Sequence, residues 1–231
     1  MIETLHSLVL AGVIFLGSHV LISSTPLRGT LRDSLGEGGY LGLYSMLAAV
    51  TLGWFVVAFI RAPAIPVWQP PLWTHWITIA LLPIASILMV GSFATRNPTA
   101  VGQERRARED DPAPGLLRVT RHPQMWGIGL WGIGHLAANG DAAGIVFFGF
   151  ITLLALGGSF LIDRRKRLAL GTDWPRFAEV TSNIPFLALL AGRTKLRPGE
   201  IGVAPVLAGL LLYAVLLLAH PLFTGVPVIV P

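Results

Sequence analysis

Apolar residues in this chain come in long blocks separated by shorter polar stretches, and that spacing predicts six helices that cross a membrane. Blocks of roughly 17–25 residues suit a helix through a bilayer. They run at about 4–24, 38–60, 73–94, 123–138, 142–161 and 202–222. The turn Asn139–Gly140–Asp141 is expected to fold the fourth and fifth spans into an antiparallel hairpin, and Pro83 to kink the third. "NIPFLALLAG" (183–192) is too short to span and is expected to lie along the membrane surface, with Trp174 and Phe177 of "DWPRFAEV" at the interface. "QERRAREDDPAP" reads as a solvated, charged linker.

Composition agrees with the pattern. The chain is 231 residues long, 53% hydrophobic and 13% charged, against about 25% charged for a soluble protein. The expected fold class is all-α, a single polytopic membrane domain over 1–231 with about six transmembrane helices in a bundle. The opening "MIETLHSLVLAGVIFLG" has no basic leader region and is expected to be a retained first span. With no cysteine, disulfides, iron–sulfur clusters and thiolate metal sites are excluded.

Charge then orients the bundle. The connections 25–37, 95–121 and 162–200 hold 16 of the 17 Lys and Arg residues, leaving only Arg61 elsewhere. With six spans these three lie on one side, so the positive-inside rule makes 95–121 and 162–200 cytoplasmic and puts both termini outside. The expected location is a bacterial inner (cytoplasmic) membrane, with the lipid bilayer as the main partner. The net charge of +5 is spent on topology, and no nucleic-acid partner is expected.

Few residues carry chemistry. "GIGLWGIG" contains a G-x-G-x-x-G, but it lies inside an apolar span with no strand before it, so close packing of a helix or a flat ligand explains it better than a phosphate loop. Ionisable groups inside a membrane are functional candidates by default, which directs attention to six histidines. His6, His75 and His220 sit near span ends, where contact with water or headgroups suffices. His122 begins the fourth span, behind the capping residue Thr120 and before Pro123, either as helix-start chemistry or at the mouth of a site. His19 and His135 lie within apolar runs on different helices. Each is either a hydrogen-bonded core histidine or one half of a shared ligand site. Thirteen residues separate His122 from His135, about 20 Å of helical rise, so those two cannot share one ion. Trp131 and Gly132 precede His135 by one turn and offer an aromatic wall and a missing side chain, a setting that suits a flat macrocycle. Two neutral imidazoles without thiolate or carboxylate fit haem iron better than structural zinc.

"RVTRHPQMWGIGLWGIGHLAANGD", "DRRKRLALGTDWPRFAEVTSNIPF", "GRTKL", "AHPLF" and the first-span stretch from "SHVLISSTPLRG" to "YLGLYSML" together resemble the NnrU family, which includes a 15-cis-zeta-carotene isomerase branch. The resemblance implies a membrane protein carrying haem b. In the isomerase branch two histidines ligate the iron, and His19 and His135 stand at the matching positions. The activity implied is redox-dependent cis–trans isomerisation of a carotenoid-like polyene. The bacterial branch is associated with nitric oxide and denitrification metabolism. Arg28, Arg32 or Arg121 would pair the haem propionates, with His122, Trp131 and Gly132 lining the site. The isomerase branch carries a cysteine where Gly132 stands, so a thiolate ligand is excluded here. A vertical offset of about 10 Å is expected between His19 and His135, with His135 paired to His6 or His220 as the geometric alternative.

Two other readings remain open. "RHPQMWG" with the later "DRRKRLALGTDWPRFAEVTSNIPF" also resembles isoprenylcysteine and phospholipid methyltransferases, in which His122 and the cytoplasmic loop would bind S-adenosylmethionine. Met125 replaces a tyrosine of that pattern, and Asp163 stands alone where an acidic pair belongs. The third reading is a non-enzymatic assembly or regulatory subunit whose histidines serve packing.

Overall fold

The computed structural model describes residues 4–226 and 228. Nine α-helices are found among them: α1 (Leu5–Ser24), α2 (Leu27–Arg61), α3 (Leu72–Ala94), α4 (Pro123–Ala138), α5 (Ala142–Leu170), α6 (Asp173–Glu179), α7 (Leu187–Leu190), α8 (Pro198–Ile201) and α9 (Val203–Thr224). Among the described residues the only β-type pairing is an isolated bridge between Pro66 and Asp141. The terminal residues 1–3 and 229–231, on which the placement of both ends bears, lie outside the described residues.

Five of the helices, α1, α2, α3, α5 and α9, are long and apolar enough to cross a membrane. The expected sixth span, α4, has 16 residues. At 1.5 Å per residue it is about 24 Å long, short of a hydrocarbon core of about 30 Å. Proline at its first position and the Asn139–Asp141 turn bound it on both sides. The hairpin itself forms: α4 packs on α5, and the Asp141 carboxylate caps α5 by accepting from Gly144 N at 2.8 Å. The connection before α3 closes over the turn, with Val67 N and Trp68 N donating to Gly140 O at 2.8 and 3.1 Å. A Cβ on Gly140 would stand 2.0 Å from Trp68 O, so glycine is required there.

Two helices differ in length from their apolar blocks. Residues 27–35, expected as loop, are helical, and the break falls at Gly36, whose φ of +69° glycine adopts without steric cost. At the same, basic end of the bundle α5 continues through Asp163–Arg167 to Leu170, because Arg, Lys and Leu propagate a helix once it leaves the membrane. Pro83 lies inside the continuous α3.

The bundle packs α4 between α3 and α5, α1 against α2 and α5, and α9 against α3. Its glycines set these approaches. Cβ atoms on Gly127 and Gly134 would meet α3 (Ala85 O at 2.9 Å, Leu82 Cδ1 at 2.9 Å), while those on Gly129 and Gly132 would meet α5 (Leu156 Cδ2 at 2.4 Å, Thr152 Oγ1 at 2.2 Å). "GIGLWGIG" is therefore a two-sided packing element rather than a phosphate loop. Thr78 Oγ1 adds an interhelical hydrogen bond to Gly134 O at 2.7 Å.

Polar connections gather into a cap at the basic end of the bundle. Trp174 and Phe177, expected at the membrane interface, are instead buried with Ala107, Ala113, Leu117 and Leu170 in a second small core. The charged stretch 103–114 is likewise not a free linker. Lys166 Nζ reaches Glu104 at 2.6 Å, Arg108 bonds Asp173 at 2.7 Å, and Arg118 is held by Asp111 and Glu200. Around α7 the apolar side chains of Ile184, Phe186, Leu187 and Leu190 remain exposed beside the cap.

A membrane cavity with one free imidazole

Between the long helices lies an apolar cavity of about 730 Å³, walled by α1, α2, α3, α4, α5 and α9. His19 is the single histidine on its wall. Its Nδ1–H donates to Phe15 O one turn earlier at 2.7 Å, and its ring meets the Phe15 and Tyr44 rings edge-on at 4.5 and 5.7 Å. With Nδ1 committed as donor, the Nε2 lone pair is the ring's free Lewis base, the same tautomer a metal-ligating histidine takes when its other nitrogen is held by a carbonyl.

His135 has the same local geometry in a different place. Its Nδ1–H donates to Trp131 O at 2.8 Å, and its ring lies between Trp131 (4.6 Å) and Phe148 (4.6 Å, stacked). Trp131 lines the cavity, but His135 does not. Neither does Gly132, whose missing side chain admits Thr152 of α5 rather than a ligand. Helix register measures the separation. Gly12 of α1 and Gly132 of α4 both abut the 148–152 stretch of α5. His19 lies seven residues beyond Gly12 toward the basic end, and His135 three beyond Gly132 the other way. Ten residues of rise amount to about 15 Å, more than the offset expected. Two imidazoles on one iron hold their nitrogens only about 4 Å apart, twice a metal–imidazole bond of about 2 Å. The fold thus puts His19 and His135 at different depths. His220 does lie within electrostatic range of His135, and the buried Nδ1 of His75 has no partner. Among the described residues no group of three or more His, Cys, Asp or Glu could hold a metal ion.

The arginines separate in the same way. Arg28 lines the cavity, with its guanidinium 5.2 Å from the Tyr40 ring centre. Arg32 is ion-paired with Glu37 and borders only a smaller polar cavity at the basic end. Arg121 and His122 line neither cavity. Instead they enter a closed polar network. His122 bonds Asp163 Oδ1 at 2.7 Å, and Asn183 Nδ2 donates to Asp163 Oδ2 at 3.1 Å. Ser159 and Trp126 donate to Asn183 Oδ1 at 2.9 and 3.3 Å, and Thr120 donates to Asn183 O at 2.5 Å. Arg121 stands 3.7 Å from Asp163, donates to Thr181 O at 3.2 Å and covers the Trp174 ring. Burial pushes the His122 imidazole below its ordinary pKa against the upward pull of Asp163, so the neutral ring donates Nε2–H to the carboxylate. The "TRHP" and "SNIP" segments are thereby pinned together, and His122 has no open face for S-adenosylmethionine.

Sequence reasoning missed Arg165, which lines both cavities. The signal lay in helix periodicity: Leu154, Ala155, Gly158, Leu161, Ile162 and Arg165 fall on one face of α5, and all six border the apolar cavity.

The chain matches the NnrU protein family over residues 7–228. It is 34% identical over 116 residues to the 15-cis-zeta-carotene isomerase, chloroplastic, of Arabidopsis thaliana, covering 48% of this chain and 31% of the relative. It is 33% identical over 82 residues to the protein of the same name from Zea mays, covering 36% of this chain and 22% of that one. The matched segments thus span less than a third of these plant relatives. No solved structure matches the chain. A family match that reaches across nearly all the described helices makes this chain a member of the NnrU family.

Proposed function

We propose that this protein is an integral membrane cis–trans isomerase of an apolar, carotenoid-like polyene, and that its bundle cavity would hold haem b through the His19 imidazole. The observation that carries the proposal is the single free imidazole nitrogen on the wall of an apolar cavity large enough for a sizeable ligand. Five apolar helices and the names of the plant relatives support a hydrocarbon substrate taken from the bilayer. The residues present fit a haem through His19 Nε2 and through the arginines at the polar end of the cavity. A bound haem would supply a redox-active iron with Lewis acidity. The chain's own part is to hold that group by one imidazole, orient the imidazole through Phe15 O and the Tyr44 ring, and keep water from the polyene with apolar walls. We place the basic end on the cytoplasmic side of a bacterial inner membrane. No observation of this geometry favours the nitric oxide, methyl-transfer or assembly readings.

The test is an absorption spectrum of the detergent-purified protein. A Soret band that disappears in His19→Ala and persists in His135→Ala is expected. Coexpression in cells that accumulate poly-cis carotene should change the isomer profile on chromatography in wild type but not in His19→Ala. No Soret band with no isomer change would refute both halves of the proposal. A Soret band lost only in His135→Ala would move the ligand away from this cavity.

A further inference from the structure

At the basic end the apolar cavity meets a second, polar cavity of about 380 Å³, and the two share Arg28, Val101 and Arg165. The polar cavity is bordered by four cations (Arg28, Arg32, Arg165, Lys166) and two acids (Glu37, Glu104). Both acids are already engaged: Glu37 by Arg32, and Glu104 by Lys166 at 2.6 Å. Arg28 and Arg165 have no carboxylate within ion-pair distance among the described residues, and they repel one another. Their positions are fixed by other contacts. Arg165 donates to Ser23 O at 3.1 Å, and Arg28 lies over the Tyr40 ring. Two half-buried guanidiniums held near each other at the mouth of an apolar chamber form a fork for an anion, with hydrocarbon space behind it.

We infer that this junction binds the acid group of an amphiphile, with Arg28 and Arg165 gripping the anion and the apolar cavity taking the hydrocarbon body. A single acid group offsets the mutual repulsion of the two guanidiniums, which Glu104, already bound to Lys166, relieves only from beyond ion-pair distance of Arg165. The body replaces water against Phe15, Leu52, Ala155 and Leu212. An acidic lipid and the carboxylates of a tetrapyrrole share this chemistry. The inference does not rest on the haem reading, since it is tested on haem-free protein.

The experiment uses Trp131, which lines the cavity, as reporter, with Trp131→Phe as the background. The probes are dibromostearate and its methyl ester, whose bromines quench tryptophan from within the cavity. The acid should bind about tenfold more tightly than the ester, as charge-assisted hydrogen bonds to two arginines require. Arg28→Gln combined with Arg165→Gln should erase that preference while leaving ester affinity intact. Arg176→Gln, an exposed charge outside both cavities, should change neither. Haemin and its dimethyl ester form the second arm. If haemin displaces the bromo-acid and itself depends on both arginines, the anion belongs to a tetrapyrrole. If haemin leaves the bromo-acid bound, it belongs to a lipid. Equal affinity of acid and ester for wild-type protein overturns the inference whether or not the double variant folds, and so does an acid preference that survives in the double variant.

Discussion

Asp163→Ala should unfasten the cap from the bundle. In the wild type this carboxylate accepts from His122 and Asn183 and faces the Arg121 guanidinium at 3.7 Å. The Asp163 side chain is 15% exposed and that of Arg121 10%, so solvent screens the pair only partly. At an effective dielectric of about 20 the Arg121–Asp163 attraction is about 4 kcal/mol, and each lost hydrogen bond adds about 1 kcal/mol. Part of that is returned when water enters the gap. A net loss of about 3–5 kcal/mol is expected, the range for stripping one partner from a buried pair. Trp174 supplies the assay, because its ring is packed under Arg121. Its fluorescence during urea titration in detergent should reveal an early transition of the cap that wild type lacks. Adding Arg121→Met removes the stranded charge and should recover at least half of the loss. A Trp174 transition unchanged to within about 1 kcal/mol, or a double variant no better than Asp163→Ala, would show that the network does not hold the cap.

Other outcomes follow from single contacts. Gly132→Ala should cost about 1–3 kcal/mol by driving its methyl into Thr152, and Thr152→Ala should relieve much of that, as read by thermal melts of single and double variants. Gly53→Ala, on α2 where a Cβ meets nothing within 4 Å, should instead stabilise by up to about 1 kcal/mol in the same melts. His122 has a folded pKa below the unfolded value of about 6.5, so the unfolded cap takes up the proton first. The contribution of His122 is therefore complete above that pH and declines as the pH falls below it, and His122→Gln should flatten this part of the stability profile. Glu200, which Arg118 holds down to about 2, contributes above its ordinary 4.5 and loses that contribution as the pH falls toward 2. Limited proteolysis of 193–202 across that window should follow the loss, and Glu200→Gln should remove it.

The bundle was legible because burial in lipid imposes uninterrupted apolarity, which a reader can count. Five spans and the α4–α5 hairpin follow from that alone. The cap was not legible, because its contacts join residues far apart in sequence: His122 finds Asp163 across 41 residues and Arg118 finds Glu200 across 82. No local pattern encodes such pairings, so Trp174 and Phe177 read as interfacial when they are a core. Gly127, Gly129, Gly132 and Gly134 announced close approach, but not which helix approaches each. His19 and His135 stood out together since both are imidazoles in apolar runs. Their depths depend on how α1 and α4 register against α5, which only Gly12 and Gly132 reveal.

The basic end of α5 joins these parts. Successive residues of a helix turn by 100°, so the run from Asp163 to Arg167 addresses several neighbours in little more than one turn. Asp163 points to the His122 network, Arg165 to the junction of the cavities, Lys166 to Ala100 and Glu104, and Arg167 to Trp174. In sequence this run is a basic loop of the kind that sets topology, and the positive-inside rule accounts for its charge with no further role. As a helix it makes the wall of the cavity and the anchor of the cap one rigid object. An acid group drawn between Arg28 and Arg165 would therefore pull on the same turn that carries Asp163. Occupancy of the cavity should then raise the protection of the cap, whereas a topology signal alone predicts no coupling between the two. Hydrogen exchange of 173–183 with and without the bromo-acid distinguishes these cases, because only a shared helix transmits the change.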